Sequence, residues 1–385
     1  MQIKKTHKLS PVFIQVLIIL LVLVILLSFI LVFAWNNGKS VHTANQTVGS
    51  VPARQFSAAD SEAVTEPPTE PEPEGLLTYP EPAPDMMTLT ASNITAKYAV
   101  LLDVDHNTIL AQRDYQEKIY PASMTKVMAL LVAAEQVDNL EDTVTLTSDI
   151  IDPLVEEDAS RAGFEAGETV TVQDLLYGMA LPSGADATEA LAIYLAGDES
   201  AFVELMNDKV AELGLKHTHF TNASGLHDED HYSTPEDIAM LMAYAMENPL
   251  CSEIMGTYQY TTSQTEQHPE GILLESTMFN RMYGSEVTGM TILAGKTGFT
   301  DQAMHCLVSY AESEDGGHYV AVTAYAPSRW RSVFDSFAIY GIVTNGYEMP
   351  TDLDLQEFTE TDENGSELLF WMRCRRRCHF FYYEN

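Results

Sequence analysis

The chain has 385 residues, of which 20 are Lys or Arg and 56 are Asp or Glu, so its net charge is −36. This length accommodates a membrane anchor, a linker and one sizeable domain. The acidic balance excludes a nucleic-acid partner, because proteins bind polyanions through lysine and arginine.

The N-terminal region predicts a membrane anchor. Lys4, Lys5 and Lys8 lie in residues 1–11, ahead of the apolar run VFIQVLIILLVLVILLSFILVFAW, residues 12–35. As a helix this run spans about 36 Å, enough to cross a hydrocarbon core of about 30 Å. The run is longer than the apolar core of a signal peptide, and no clear cleavage pattern follows it. We therefore expect a single-pass protein of the cell membrane, with a cytoplasmic N-terminus and the rest of the chain outside.

Residues 36–92 have the composition of a linker. Eight of the 17 prolines lie between Pro52 and Pro84, and TEPPTEPEPEGLLTYPEPAPD alternates proline with glutamate. Such a segment buries too little apolar surface to offset the entropy lost on ordering. We expect it to be disordered and extended, holding a domain away from the membrane.

Residues 93–349 have the pattern of one folded domain. The stretch YAVLLDVDHNTILAQRD predicts a hairpin, and KVMALLVAAEQV has the length and composition of a helix. Two further helices are expected around the Pro-Ser-Gly break in TVQDLLYGMALPSGADATEALAIYLAG. Another begins in STPEDIAMLMAYAMEN, with Thr234 as its N-cap and Pro235 at its first position.

The end of this domain predicts strands followed by a last helix. TILAGKTG, HCLVSYAES and HYVAVTAYA have strand character, and RSVFDSFAIYGIVTNG has helix character. A hairpin, a helical middle and a terminal set of strands predict an α+β fold, in which an antiparallel sheet is covered by helices.

Three short motifs occur in order along the domain. They are Ser123-Met-Thr-Lys126, Ser183-Gly-Ala185 and Lys296-Thr297-Gly298, and the last lies on a predicted strand. Each is short enough to occur by chance, but their joint occurrence on these elements is rare. The set resembles the motifs of penicillin-binding proteins and serine β-lactamases.

The resemblance extends over roughly residues 90–347. AVLLDVDHNTILAQRDYQEKIYPASMTKVM, DLLYGMALPSGADATEALA, HTHFTNASGLHDEDHYSTPEDIAML and MTILAGKTGFTDQAMHCLVSYAE are similar to serine D-alanyl-D-alanine carboxypeptidases. These are low-molecular-mass penicillin-binding proteins that trim cell-wall stem peptides. The resemblance implies a β-lactamase/transpeptidase-like fold with a helical subdomain. It also implies a peptidoglycan stem peptide ending in D-Ala-D-Ala as substrate, β-lactams as covalent inhibitors, and no cofactor.

The first motif has the residues of a nucleophile and its base. A serine hydroxyl is a weak nucleophile until a neighbouring base takes its proton. Residues three apart share one helix face, so Lys126 can lie against the Ser123 hydroxyl. A lysine acts as base only when neutral, which burial and a nearby cation such as Lys296 favour.

The other motif residues suit the substrate. Ser183 is the candidate proton shuttle to the leaving amine, and Lys296 with Thr297 suits the terminal carboxylate. Gly298 allows close approach of the strand. The resemblance further implies an oxyanion hole from the backbone N–H groups of Ser123 and Phe299.

One position departs from the family pattern. The middle motif normally ends in asparagine, which contacts the substrate amide and the active-site lysine, and here that position is Ala185. Two alternatives to a carboxypeptidase share these motifs. One is a serine β-lactamase of the same fold, although residues 215–232 lack the Glu-x-x-Leu-Asn pattern of a deacylating glutamate. The other is a weakly catalytic penicillin-binding sensor of the cell wall, which Ala185 alone supports.

Two further features are candidate sites. His217, His219, His227 and His231 are possible zinc ligands, but no H-E-x-x-H helix is present and no metal is expected. In the tail, residues 350–385, aromatic side chains surround four arginines, and Cys374 and Cys378 are four apart. This tail fits a lipid interface, a disordered end or a stretch shifted out of frame, and we favour the last two together, with disorder as the prediction.

Overall fold

The structure is a computed structural model that describes residues 75–282 and 287–344, and the backbone alone of 355–361 and 367–373. The predicted cytoplasmic flank, the predicted anchor at 12–35 and the linker up to residue 74 lie outside the described residues. In the part of the chain that is described, no helix combines the length and the apolar character that crossing a membrane requires.

The strands follow one another along the chain with most of the helices between the third and the eighth. They are β1 (Glu81–Thr88), β2 (Tyr98–Asp103), β3 (Thr108–Arg113), β4 (Thr143–Thr145), β5 (Thr169–Thr171), β6 (Gln259–Thr261), β7 (Leu273–Glu275), β8 (Met290–Thr300), β9 (Met304–Ser313), β10 (His318–Ala326), β11 (Leu355–Thr361) and β12 (Glu367–Arg373).

The helices form most of the middle of the domain. They are α1 (Lys126–Gln136), α2 (Ser148–Glu156), α3 (Val172–Ala180), α4 (Ala185–Ala196), α5 (Glu199–Leu213), α6 (Pro235–Glu247), α7 (Pro249–Met255), α8 (Phe279–Met282) and α9 (Arg329–Thr344), with a 3₁₀ turn at Ala122–Thr125 before α1. The predicted Thr234 cap is confirmed, because its side chain accepts from the Asp237 N–H of α6 at 3.1 Å.

A six-stranded sheet in the order β1-β3-β2-β10-β9-β8 forms the framework of the described domain. Alternate residues of its strands enter two separate cores. The core on one face includes residues of α9, and the core on the other includes residues of α6 and the helical middle. Helix α1 is apolar almost all round and is buried from Lys126 to Ala133, which is typical of a central helix.

The prediction of a wholly antiparallel sheet is wrong at one edge. Strand β1 runs parallel to β3, so the sheet is mixed. Strand β1 also lies inside the segment expected to be a linker, so the fold starts before residue 93. Its prolines, Pro82 and Pro84, fit an edge strand. Proline has no N–H to donate, and an edge strand tolerates this because one of its sides forms no backbone hydrogen bonds within the sheet. Upstream of β1, the Tyr79 hydroxyl donates to the buried Asp237 carboxylate at 2.7 Å.

The expected disorder of residues 350–385 is also corrected in part. Strands β11 and β12 pair antiparallel, from Leu355 opposite Arg373 to Thr361 opposite Glu367. Both strands contain aromatic residues, and β11 also contains two threonines, which are residues that favour strands. The prediction gave more weight to the position of the segment near the end of the sequence.

Candidate active site

Ser123 and Lys126 lie on consecutive elements at the start of the central helix. Ser123 is in the 3₁₀ turn, and Lys126 is the first residue of α1. Side chains three apart eclipse one another in a 3₁₀ turn. The Lys126 Nζ therefore reaches the Ser123 Oγ at 3.2 Å, and it donates a second hydrogen bond to the Ser224 carbonyl at 2.5 Å. The amine is thus held between the hydroxyl and a backbone acceptor.

Lys126 has the protonation behaviour of a base near neutral pH. Its side chain is only 3% exposed, and burial lowers the pKa of Lys126 to about 7. The Asp186 carboxylate opposes this shift. Because removal from water disfavours the charged amine, a large fraction of Lys126 is neutral at pH 7.

The Ser224 carbonyl comes from a loop that packs directly on the 3₁₀ turn that contains Ser123, called the Ser123 turn below. Gly225, with φ of 87°, follows Ser224, and a Cβ there would collide with the Ala122 carbonyl and lie 2.9 Å from the Ser123 nitrogen. Only glycine fits a position that combines this contact with this φ. The loop thereby forms one wall beside Ser123.

Ser183 and Lys296 form the second pair of the site. Ser183 lies between α3 and α4 and Lys296 lies on β8, and both are buried. The Lys296 Nζ donates to the Ser183 Oγ at 2.8 Å. Burial, with repulsion from Lys126 and Arg281, lowers the pKa of Lys296 well below its usual range. Ser183 has φ of 69°, a strained value for a residue other than glycine.

Strand β8 carries the third motif against the Ser123 turn. A Cβ at Gly298 would lie 2.9 Å from the Pro121 carbonyl and 3.0 Å from the Ser123 nitrogen. The strand can approach this closely only because residue 298 has no side chain. The two N–H groups expected to form an oxyanion hole, those of Ser123 and Phe299, therefore belong to adjoining segments.

The side chains on either side of Gly298 differ in their surroundings. The Thr297 Oγ1 lies 2.7 Å from the Thr277 Oγ1. Phe299 is 54% exposed and stacks on His305, with ring centroids 4.4 Å apart. Thr297 is thus held by a neighbour, and Phe299 forms an aromatic surface at the exposed end of the motif.

Ala185 begins helix α4 at a position fixed by backbone contacts. Its N–H donates to the Ser160 carbonyl at 2.7 Å, and its methyl group is buried in the core. The next residue, Asp186, is fully buried and accepts from the Ala162 N–H at 2.7 Å and the Gly163 N–H at 3.1 Å. The segment around residues 160–163 is therefore pinned to the start of α4 without an asparagine at 185.

The structure brings Ser123 close to Lys126 and Ser183 close to Lys296, and it places Gly298 beside the Ser123 turn. The sequence interpretation did not single out Ser224, which acts through its carbonyl and so leaves no side-chain signal. It also missed Thr277, for which no motif exists. Asp186 directly follows the middle motif. The only sequence feature that points to it is an acidic residue at the start of a predicted helix.

Comparisons with known proteins agree on one family. Residues 85–327 match the model of the S11 peptidase family, described as D-alanyl-D-alanine carboxypeptidase. The D-alanyl-D-alanine carboxypeptidase DacF of Bacillus subtilis is 34% identical over 218 residues, which are 56% of this chain and 54% of that protein. DacA of Haemophilus influenzae is 31% identical over 246 residues, or 62% of this chain and 59% of that protein. The chain thus spans little more than half the length of these two relatives.

A solved structure extends the likeness to the fold. The crystal structure of the Streptomyces K15 DD-transpeptidase superposes with a TM-score of 0.59 at 28% identity. The match covers 67% of this chain and 100% of that one. The fold is therefore α+β and transpeptidase-like, with a mixed sheet and helices.

Proposed function

This chain belongs to the D-alanyl-D-alanine carboxypeptidase family, and from that premise we propose that it is a serine D,D-carboxypeptidase of the cell wall. It removes the terminal D-alanine from peptidoglycan stem peptides through an acyl-enzyme on Ser123. The observation that carries the proposal is the 3.2 Å contact between the Ser123 Oγ and a buried lysine amine. A nucleophile beside a base of suitable pKa is the arrangement that covalent catalysis requires.

Acylation begins when the neutral Lys126 Nζ takes the proton of the Ser123 hydroxyl. The Ser123 Oγ forms a bond to the carbonyl carbon of the penultimate D-alanine. The N–H groups of Ser123 and Phe299 stabilise the negative oxygen of the tetrahedral intermediate. The C–N bond to the terminal D-alanine then breaks. Through Ser183, whose Oγ accepts from Lys296 at 2.8 Å, the leaving nitrogen takes the proton that Lys126 removed from Ser123, and Lys126 is neutral again. Free D-alanine and a Ser123 ester result.

Hydrolysis of the ester uses the same groups in the reverse sense. A water molecule gives its proton to Lys126 and attacks the ester carbonyl. The bond between the carbon and the Ser123 Oγ breaks, and Lys126 gives the proton that it took from water to the serine oxygen. Lys296 and Thr297 bind the carboxylate of the substrate before acylation. β-Lactams present a similar carboxylate and a reactive amide, so they acylate Ser123 as inhibitors.

The test uses the purified protein from residue 75 onward and, in parallel, the full chain. Both are incubated with a fluorescent penicillin, and D-alanine release is measured from a diacetyl-L-Lys-D-Ala-D-Ala peptide. We expect covalent labelling and D-alanine release together. Labelling without release supports the weakly catalytic sensor, and absence of both contradicts the proposal.

A serine β-lactamase of the same fold is the weaker candidate. In the described residues, Lys126 donates to Ser123 and to the Ser224 carbonyl, and no carboxylate accepts from it. A deacylating glutamate of the class A type acts through a water molecule, and residues 215–232 lack the Glu-x-x-Leu-Asn pattern that would supply it. We therefore expect penicillin to be released slowly, on a time scale much longer than that of peptide turnover, when loss of the fluorescent adduct is followed.

The substitution Ala185→Asn tests whether the missing amide weakens the enzyme. We expect kcat/KM for the peptide to change by a few-fold or less, because both lysine–serine contacts form without an amide at position 185. A hydrogen bond contributes about 1 kcal/mol net, or somewhat less than tenfold in rate. Ala185→Ser, which adds a polar group without the amide, is the matched control. A gain of about a hundredfold in Ala185→Asn alone would show that the native site is impaired.

We also propose that residues 12–35 anchor the protein in the cell membrane, with the catalytic domain outside. The support is the apolar run with its basic flank, residues 1–11. Protease added to intact cells with a permeable wall should digest the chain from about residue 36 onward and leave the N-terminal fragment in the membrane. Full protection of the domain, under conditions in which a known external protein is cleaved, would contradict this topology.

A further inference from the structure

His231 is a buried histidine close to the Ser123 turn that takes no part in the chemistry described above. It is only 2% exposed. Its Nε2 lies 2.7 Å from the Thr125 Oγ1, and its Nδ1 lies 3.1 Å from the Thr221 nitrogen. Both ring nitrogens therefore have protein partners, which leaves neither free to bind a metal.

The Thr221 contact fixes the protonation state of the ring. A backbone N–H can only donate, so the His231 Nδ1 accepts and carries no proton. The Nε2 then carries the proton and donates it to the Thr125 hydroxyl oxygen. Burial lowers the pKa of His231 to about 4, so this neutral form persists across the physiological range.

The two partners of the ring belong to the two segments that enclose Lys126. Thr125 is fully buried in the 3₁₀ turn, between Ser123 and Lys126. Thr221 begins the short loop that ends at Gly225 and supplies the Ser224 carbonyl to the Lys126 amine. The ring of His231 thus joins the Ser123 turn to the loop that faces it.

We propose that His231 is a positioning residue for acylation, which holds the Thr221–Gly225 loop against the Ser123 turn so that Lys126 stays aligned on the Ser123 Oγ. The proposal rests on the serine carboxypeptidase function proposed above. His231 does not touch the substrate, and its effect passes through Thr125 and Thr221. Loss of either hydrogen bond lets the two segments separate, and water then reaches the lysine.

The test measures the acylation rate constant and the reversible affinity for a fluorescent penicillin separately. His231→Ala should lower the rate constant by about 10- to 100-fold, as expected for a small displacement of a catalytic group, with the affinity unchanged. His231→Gln should stay within about threefold of wild type. Its side-chain amide keeps one acceptor and one donor for the same two partners.

Two further variants separate alignment from folding. Thr125→Val keeps the shape of the side chain and removes the acceptor, so it should show a loss similar to that of His231→Ala. His219→Gln is the matched control, because His219 is exposed and its ring contacts the Asp230 carbonyl. It should acylate as the wild type does. Thermal unfolding of each variant measures the fraction of the protein that is folded at the assay temperature. Each acylation rate is then corrected for that fraction.

The pH profile distinguishes positioning from a general loss of structure. Burial is the main cause of the lowered pKa of Lys126, so water that reaches the amine should raise this pKa. In His231→Ala and Thr125→Val, the pH at which the acylation rate begins to rise should therefore be higher than in the wild type.

Wild-type acylation rates in folded His231→Ala or Thr125→Val would overturn the proposal. If His231→Ala does not fold, the result for Thr125→Val decides. A wild-type protein that is never acylated would contradict the proposed function itself.

Discussion

Replacement of Ser123 by alanine should abolish covalent labelling by penicillin and D-alanine release, while the protein remains folded. The Ser123 Oγ is the atom that Lys126 contacts at 3.2 Å, and no bond to the substrate can form without it. Loss of a nucleophile in a serine enzyme lowers the rate by at least about 10⁴-fold, because the catalytic groups act as a unit. Gel fluorescence after incubation with the labelled penicillin measures the loss, and the D-alanine assay checks it independently.

Ser252→Ala is the matched control for this substitution. Ser252 is also half-buried and helical, but it lies on α7, outside the site. We expect this variant to be labelled as the wild type is. Reversible binding of the penicillin to Ser123→Ala should persist, since the residues proposed to bind the carboxylate are intact. Labelling of Ser123→Ala at the wild-type rate would mean that another residue is the nucleophile.

Replacement of Lys126 should slow acylation by about 10²- to 10⁴-fold, the usual contribution of a positioned general base. Lys126→Arg and Lys126→Ala should lose similar amounts of activity. Arginine keeps the positive charge, but its guanidinium does not lose a proton near neutral pH. If Lys126 acted only through its charge, the arginine variant would retain much of the rate. Stopped-flow measurement of acylation in both variants separates these roles.

The pH dependence of acylation follows from the same lysine. The pKa of Lys126 is lowered to about 7, and the proposed mechanism requires the neutral amine. Acylation should therefore be slow below about pH 6, rise through about pH 7 and level off above about pH 8. The acylation rate of the Lys126→Arg variant should lack this rise near pH 7. A wild-type rate that is constant from about pH 5.5 to about pH 8.5 would contradict the assignment of Lys126 as the base.

Much of the site could be predicted from the sequence because its groups lie in short local motifs. Ser123 and Lys126 are three residues apart, so one turn of helix brings them together. The pairing of Ser183 with Lys296 is different, since the two are 113 positions apart and meet only through the tertiary fold. The family resemblance, rather than the local pattern, implied that both belong to one site.

The groups that the sequence interpretation missed act through the backbone or through another residue. Ser224 contributes a carbonyl, which every residue possesses, so its identity carries no signal. The sequence suggests His231 only as a metal ligand, because a histidine among acidic residues offers that interpretation first. Its contacts to Thr125 and Thr221 depend on the folding of a loop onto a helix start, which no spacing in the sequence shows.

The boundaries of the folded part were predicted less well than its interior. Glu81–Thr88 has the proline and glutamate content of a linker, yet it pairs with β3 at the edge of the sheet. An edge strand forms backbone hydrogen bonds along one side only, so its amino-acid composition predicts strand structure poorly. The hairpin of β11 and β12 was missed for a related reason, because its position near the terminus favoured disorder.

The role of Ser123 as the acylated residue is tested most directly by locating the covalent adduct formed during turnover of the wild-type protein. The protein is quenched in acid after brief incubation with the diacetyl-L-Lys-D-Ala-D-Ala peptide or with penicillin, digested, and analysed by mass spectrometry. We predict an ester on the peptide that contains Ser123, at the serine itself, together with released D-alanine in the peptide reaction. An adduct on any other residue, or release of D-alanine from a protein in which Ser123 is never acylated, would contradict this role.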